Sequence, residues 1–247
     1  MHSPFVYALS TEVLNVHQPR QQLHKIESLR QQLCRDTRSV TLNDLGAGSR
    51  VEAASLNRLV AQLAKNGARR AASGALLHHL VAWVQPVRAL ELGTQLGISA
   101  LYQASALRGK ASLTTVEGSA ELAAIAHENW AQCPMTPAIN SVVSPFEAFL
   151  SQSHPPWDYV LLDGHHEEAA TLRYFEMLLP LLTEGACVVL DDIRWSRGMH
   201  RAWQRVQEHP EVSVSVDLFR MGLAFVRRPQ AKEHFCLWPG FRIFMGQ

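Results

Sequence analysis

The sequence lacks long apolar runs. No window reaches the roughly 18 uninterrupted apolar residues of a membrane span, and the opening MHSPFVYALSTEVLNVHQPR has no basic segment followed by a long apolar one. It also lacks an excess of charge of either sign. The 23 Lys and Arg against 22 Asp and Glu leave a formal net charge of +1 over 247 residues, which gives a nucleic-acid partner no support while leaving one open. Cysteine is scarce: Cys34, Cys133, Cys187 and Cys236 show no CxxC spacing, and a reducing cytoplasm suits them best. Repeats and low-complexity tracts are missing as well. What is present, 47% hydrophobic residues, is enough for one sizeable core with an added flap, in a soluble, unexported, cytoplasmic protein.

The chain divides by texture into an N-terminal extension, residues 1–69, and a main domain, residues 70–247. Residues 10–35 carry apolar side chains at helical spacing, with Pro19 interrupting the helix or starting a second one. SVTLNDLGAGSR follows as a short strand or loop, and then EAASLNRLVAQLAKNG and ASGALLHHLVAWVQP read as helices. After Pro86, short apolar runs alternate with helical stretches, the pattern of parallel strands joined by crossover helices. Strands are expected at 87–93, 111–118, 140–144, 158–164 and 186–192, and helices near 97–108, 119–131, 145–152 and 167–182. VSVSVDLF and GLAFVRR are too close in sequence for a parallel crossover and predict a C-terminal antiparallel hairpin.

Two stretches compete as a cofactor loop, DLGAGSR at 44–50 and ELGTQLG at 91–97. Such a loop needs a strand before it, a helix after it, and an acid ending the next strand to take ribose hydroxyls. The second stretch meets all three conditions, with Gly93 and Gly97 allowing close backbone approach and Glu117 as the acid. The alternative is that Glu91 and Glu117 are merely exposed strand-end acids. DLGAGSR is expected to be a lid or acceptor-binding loop, with Arg50 meeting an acidic substrate or Asp44 acting as an N-cap or a ligand of a hydroxyl, or else a plain structural turn.

Five alternating units followed by a hairpin resemble the class I S-adenosylmethionine-dependent methyltransferases: a Rossmann-like, doubly wound, seven-stranded α/β sheet, mostly parallel. The spacing of ELGTQLG departs from the dinucleotide fingerprint, which makes NAD the weaker choice. An acid at Glu91 suits the cofactor's ammonium group, directly or through water. The cofactor-binding set expected on this basis is Glu91, Gly93, Thr94, Gly97, Ser99, Glu117, Gly118, Ser144, Phe146 and Asp163, with Ser144 and Phe146 walling the adenine.

LLDGHH and VVLDDIRW place Asp163, Asp191 and Asp192 at the carboxyl edge of the sheet, where mutual repulsion asks for a compensating cation. An Asp ending the fourth strand and DDIRW ending the fifth resemble the cation-dependent catechol-type O-methyltransferases. Asp192 stands where that family usually has Asn, although paired Asp residues resemble its magnesium-dependent sugar-modifying members. The resemblance implies Asp163, Asp191 and Asp192 as ligands of Mg2+ or another divalent ion, which acts as Lewis acid and template. It also implies His166, where those enzymes carry Lys, as the base, with Asp163 also catalytic. The bland alternative makes Asp191, Asp192, His165 and His166 helix caps, and Trp195 is either an acceptor wall or an ordinary aromatic.

The expected function is O-methylation of a small-molecule hydroxyl, in a chain that forms a homodimer if the WPGFRIFMGQ tail packs on a neighbour. The competing functions are a cofactor-binding module that recruits protein or RNA without turnover, a tRNA-modifying methyltransferase, and an NAD-dependent oxidoreductase.

Overall fold

The computed structural model describes residues 4–14, 21–42, 56–67, 71–134, 139–227 and 229–237. The N-terminal part forms α1 (Pro4–Leu9), a π-helical turn (Ser10–Leu14), α2 (Gln21–Leu33), β1 (Ser39–Leu42), β2 (Leu56–Leu59) and α3 (Val60–Asn66). β1 and β2 pair antiparallel, Ser39 opposite Leu59. Of the helix predicted from residue 52, residues 52–55 lie outside the described residues, 56–59 are strand, and the helix runs from Val60. Residues 56–59 are drawn into a strand by cross-strand hydrogen bonding, a tertiary effect that helical spacing cannot report. DLGAGSR lies outside the described residues, between the two strands of this hairpin.

The main domain continues with α4 (Ala71–Val84), β3 (Arg88–Leu92), α5 (Ile98–Ala104), β4 (Ser112–Glu117), α6 (Ala120–Gln132), β5 (Ile139–Val143), α7 (Phe146–Leu150), β6 (Trp157–Leu162), α8 (Glu168–Leu178), β7 (Leu182–Leu190), α9 (Arg197–Glu208), β8 (Val212–Asp217), β9 (Gly222–Val226) and β10 (Glu233–Cys236). The sheet has eight strands in the order β10-β8-β9-β7-β6-β3-β4-β5. β9 runs antiparallel to both its neighbours, and every other pairing is parallel. The expected seven strands are thus joined by one more, β10, against β8. After β5 the chain returns to the far side of β3, so the strand order reverses between β3 and β6, the place where doubly wound sheets open a crevice.

Alternation along each strand sends side chains to two cores. Ala89, Leu161, Val189 and Phe225 join α1, α2, α4 and α5 on one face, and Leu90, Leu92, Val160 and Val188 join α7, α8 and α9 on the other. Val6, Leu9, Val13 and Leu14 of the extension are at most 4% exposed and belong to the first core. The extension is therefore packed into the sheet's own core. No helix among the described residues is long and apolar enough to cross a membrane.

Candidate functional site

The strand ends at the switch point are laced by backbone bonds. Gly93 N donates to Val116 O at 3.0 Å, Asp163 N to Leu92 O at 2.9 Å and Asp191 N to Leu162 O at 3.0 Å. Gly93, at φ +111, lies so close to β6 that a Cβ there would come within 2.2 Å of Asp163 O. Glycine is required at this position by conformation and by space. Gly97, at φ +76, opens α5, and a Cβ there would meet Trp130 Nε1 at 2.4 Å.

Residues outside the predicted set hold the loop between these glycines. Asn129 Nδ2 donates to Leu96 O at 2.8 Å and Trp130 Nε1 to Gly97 O at 2.9 Å. Gln95, at φ +49, donates its backbone N–H to Glu117 Oε2 at 2.9 Å. Asn129 and Trp130 sit on α6, more than thirty residues from the loop, and helical periodicity alone marks them as ordinary face residues.

The two predicted acids take different places. Glu91 is wholly buried. Its Oε1 accepts from Gln103 Nε2 at 2.8 Å and its Oε2 from Thr115 Oγ1 at 2.6 Å, and Thr115 in turn bonds Thr94 Oγ1 at 2.6 Å. Glu91 thus braces β3, β4 and α5 beneath the loop and is absent from the cavity wall. Glu117 is half-buried, accepting from Gln95 N and, at 3.0 Å, from Ser119 N. A carboxylate offers about four lone-pair sites, so both oxygens keep acceptor capacity.

A cavity of about 690 Å3 opens over the carboxyl ends of β3, β6 and β7, within the usual size of small-molecule sites. Gly93, Thr94, Ser99, Asp163, His166, Asp191 and Asp192 of the predicted set line it, as do Trp195 and Arg220. Gly97, Glu117, Gly118, Ser144 and Phe146 stand outside that lining. Ser144 is half-buried, with its hydroxyl donating to Pro145 O at 3.0 Å. Phe146 is buried edge-on to Tyr174 and His165, and it would be struck by any Cβ on Gly164.

His166 Nε2 lies 3.8 Å from Asp163 Oδ1. The neighbouring His165, at φ +48, turns away from it, with Nδ1 3.0 Å from Tyr174 Oη. Burial, aided by nearby Glu147, pushes the Tyr174 phenol up to about 12. Its hydrogen bond with His165 Nδ1 holds the imidazole against α8 and away from His166.

Asp192, at φ +47, is paired with Arg220 at 2.9 Å. The segment around it is tied to the β8–β9 turn by Ile193 N, which donates to Arg220 O at 3.0 Å, and by Arg194, which bonds Asp217 Oδ1 at 2.6 Å and Phe219 O at 3.0 Å. Ser196 is the N-cap of α9, accepting from Met199 N at 3.1 Å, so capping that helix is not what Asp191 and Asp192 do. Among the described residues no three His, Cys, Asp or Glu side chains are gathered as a metal-binding group. Asp192 is answered by Arg220, and Asp163 and Asp191 line the cavity beside it.

Residues 90–193, which span this edge of the sheet from β3 past β7, match the family described as a methyltransferase domain. That match covers less than half of the chain. Solved structures of similar fold include an O-methyltransferase from Bacillus cereus in complex with SAH, at 17% identity and TM-score 0.58, covering 89% of this chain and 96% of that one. The O-methyltransferase TomG from Streptomyces achromogenes, involved in tomaymycin synthesis and solved with SAM, is 21% identical at TM-score 0.60, covering 90% and 95%. The SAH-bound Podospora anserina methyltransferase PaMTH1 is 16% identical at TM-score 0.63, covering 92% and 97%. At these identities the likeness is one of fold. None of the curated proteins matches the sequence.

Proposed function

We propose that the methyltransferase domain binds S-adenosylmethionine across Gly93 and methylates a hydroxyl oxygen of a small molecule held in the cavity. One observation carries this reading. The pairing of Leu92 with Val116 sets Glu117 level with Gly93 at the switch point, which offers a carboxylate to a ribose beside a backbone open to close approach. The SAM- and SAH-bound structures of similar fold support the choice of cofactor.

When bound, the cofactor supplies an electrophilic methyl carbon on a sulfonium. The chain's task is then chiefly alignment and removal of one proton. His166 is placed at the cavity wall to accept the acceptor's hydroxyl proton as the oxygen–methyl bond forms and the sulfur–methyl bond breaks. The products are the methyl ether, S-adenosylhomocysteine and a protonated imidazole facing Asp163. No step is routed through a divalent ion. Such an ion would compete with Arg220 for Asp192, and we expect turnover to survive chelation.

Residues 1–69 act in this account as the cover of the site and residues 70–247 as its cofactor-binding body, in a cytoplasm where the four thiols stay reduced. The test is a screen of hydroxylated small molecules for S-adenosylhomocysteine release, repeated with His166→Ala. We expect kcat to fall by about a hundredfold or more with cofactor affinity unchanged. Undiminished turnover would remove His166 as the base, and no release from any acceptor would remove the transfer reaction itself.

A further inference from the structure

The cavity has a floor and a roof of different chemistry. The floor, at the strand ends, carries Asp163, Asp191 and Asp192 together with His166 and Arg220. The roof comes from β2 and α3, where Arg58, Gln62, Lys65 and Asn66 line the cavity. These are two cations and two carboxamides, with no acid among the roof residues from 58 to 67.

Their placement follows from the fold of this short segment. Val60 and Ala64 are fully buried and fasten one face of α3 to the core. Residues 62, 65 and 66, spaced three and four apart, share the opposite face, and all three are exposed. The segment is fixed at its start by Val60 N, which donates to Arg38 O at 2.9 Å, and by Ala61 N, which donates to Asp36 O at 3.2 Å. At its end, Gly67 lies against the side chain of Gln95 in the glycine loop, where a Cβ would fall 2.1 Å from Nε2. The roof is thus held over the cofactor loop. Among the described residues no ion pair engages Arg58 or Lys65, whereas Arg220 on the floor is already matched by Asp192.

We infer that the roof is an anion-binding subsite and that the acceptor carries a carboxylate or phosphate group at the end remote from the hydroxyl that is methylated. The inference rests on the proposed methyl transfer for which end of the acceptor reacts, but the subsite itself stands on the roof's own residues. A planar guanidinium and an ammonium, flanked by amide donors, suit an anionic oxygen cluster. The indole of Trp195, which is 71% exposed and lines the same cavity, gives the middle of the acceptor an apolar wall.

The experiment titrates inorganic phosphate and, separately, benzoate into the full-length protein saturated with S-adenosylhomocysteine, and repeats both with the Arg58→Glu, Lys65→Glu double variant. Both substitutions are on exposed side chains and leave the buried face of α3 untouched. We expect at least one anion to bind, with its affinity falling about tenfold or more in the double variant and S-adenosylhomocysteine affinity unchanged. The anion that binds more tightly identifies the group. Binding of neither anion, or binding that the double variant leaves intact, would overturn the inference. Failure of S-adenosylhomocysteine to bind while phosphate or benzoate still binds through Arg58 and Lys65 would instead remove the cofactor reading and leave the subsite standing.

Discussion

Glu91 and Glu117 look equivalent in the sequence, each an acid ending an apolar run, and the register separates them. Glu91 pairs with Thr115, two residues before Glu117, so Glu91 sits one full repeat deeper in the sheet. There its carboxylate is satisfied by Gln103 and Thr115 rather than by anything in the cavity. Thr115→Val keeps the shape and removes a donor to a buried carboxyl group. It should cost about 1–3 kcal/mol of stability, measured by chemical denaturation, and an unchanged midpoint would show that Glu91 does not depend on this bond. Gly97→Ala combines a positive φ with a clash against Trp130, and about 1–3 kcal/mol of backbone strain should appear as a lowered melting temperature. The glycines were legible from the sequence. Their immediate neighbours, Asp163 O and Trp130, were not, because those contacts are made across the sheet and from α6.

The strands of the main sheet were legible to within a few residues, because short apolar runs bounded by acids and glycines leave little choice. β2 and β10 were not. LNRL reads as part of a helix until β1 is beside it, and EHFC has four residues with exposure alternating along them. β10 also carries a pH dependence. His234 bonds Ser215 on β8 at 2.7 Å, and burial, aided by Lys232, holds its imidazole below the usual range. A histidine whose folded-state pKa is depressed binds protons more readily when unfolded, so its contribution to stability is present above about pH 6.5 and lost as pH falls below it. Hydrogen exchange of residues 233–236 should therefore lose protection on going from pH 7.5 to pH 5, after correction for intrinsic rates. Constant protection would show that His234 does not govern this edge.

At the scale of the whole molecule, the extension and the sheet share a core, which joins the site's cover to its floor. Leu9 is fully buried in that core. Leu9→Ala should destabilise the protein by about 2–5 kcal/mol in a single unfolding transition seen alike by circular dichroism and by tryptophan fluorescence. Two separated transitions would mean that the extension folds independently. The fold class could be read from the order of strands and helices, whereas a cavity built from β2, α3 and three distant strand ends could not, since no local pattern brings residues 58, 95, 163 and 220 together.

The central claim is that the carboxyl edge of β3 and β4 holds S-adenosylmethionine, and isothermal titration of that compound into the wild-type protein and Glu117→Ala tests it most directly. The account predicts saturable binding at one site per chain, weakened about tenfold or more by the substitution. No binding to the wild type, or equal binding to both proteins, would contradict it.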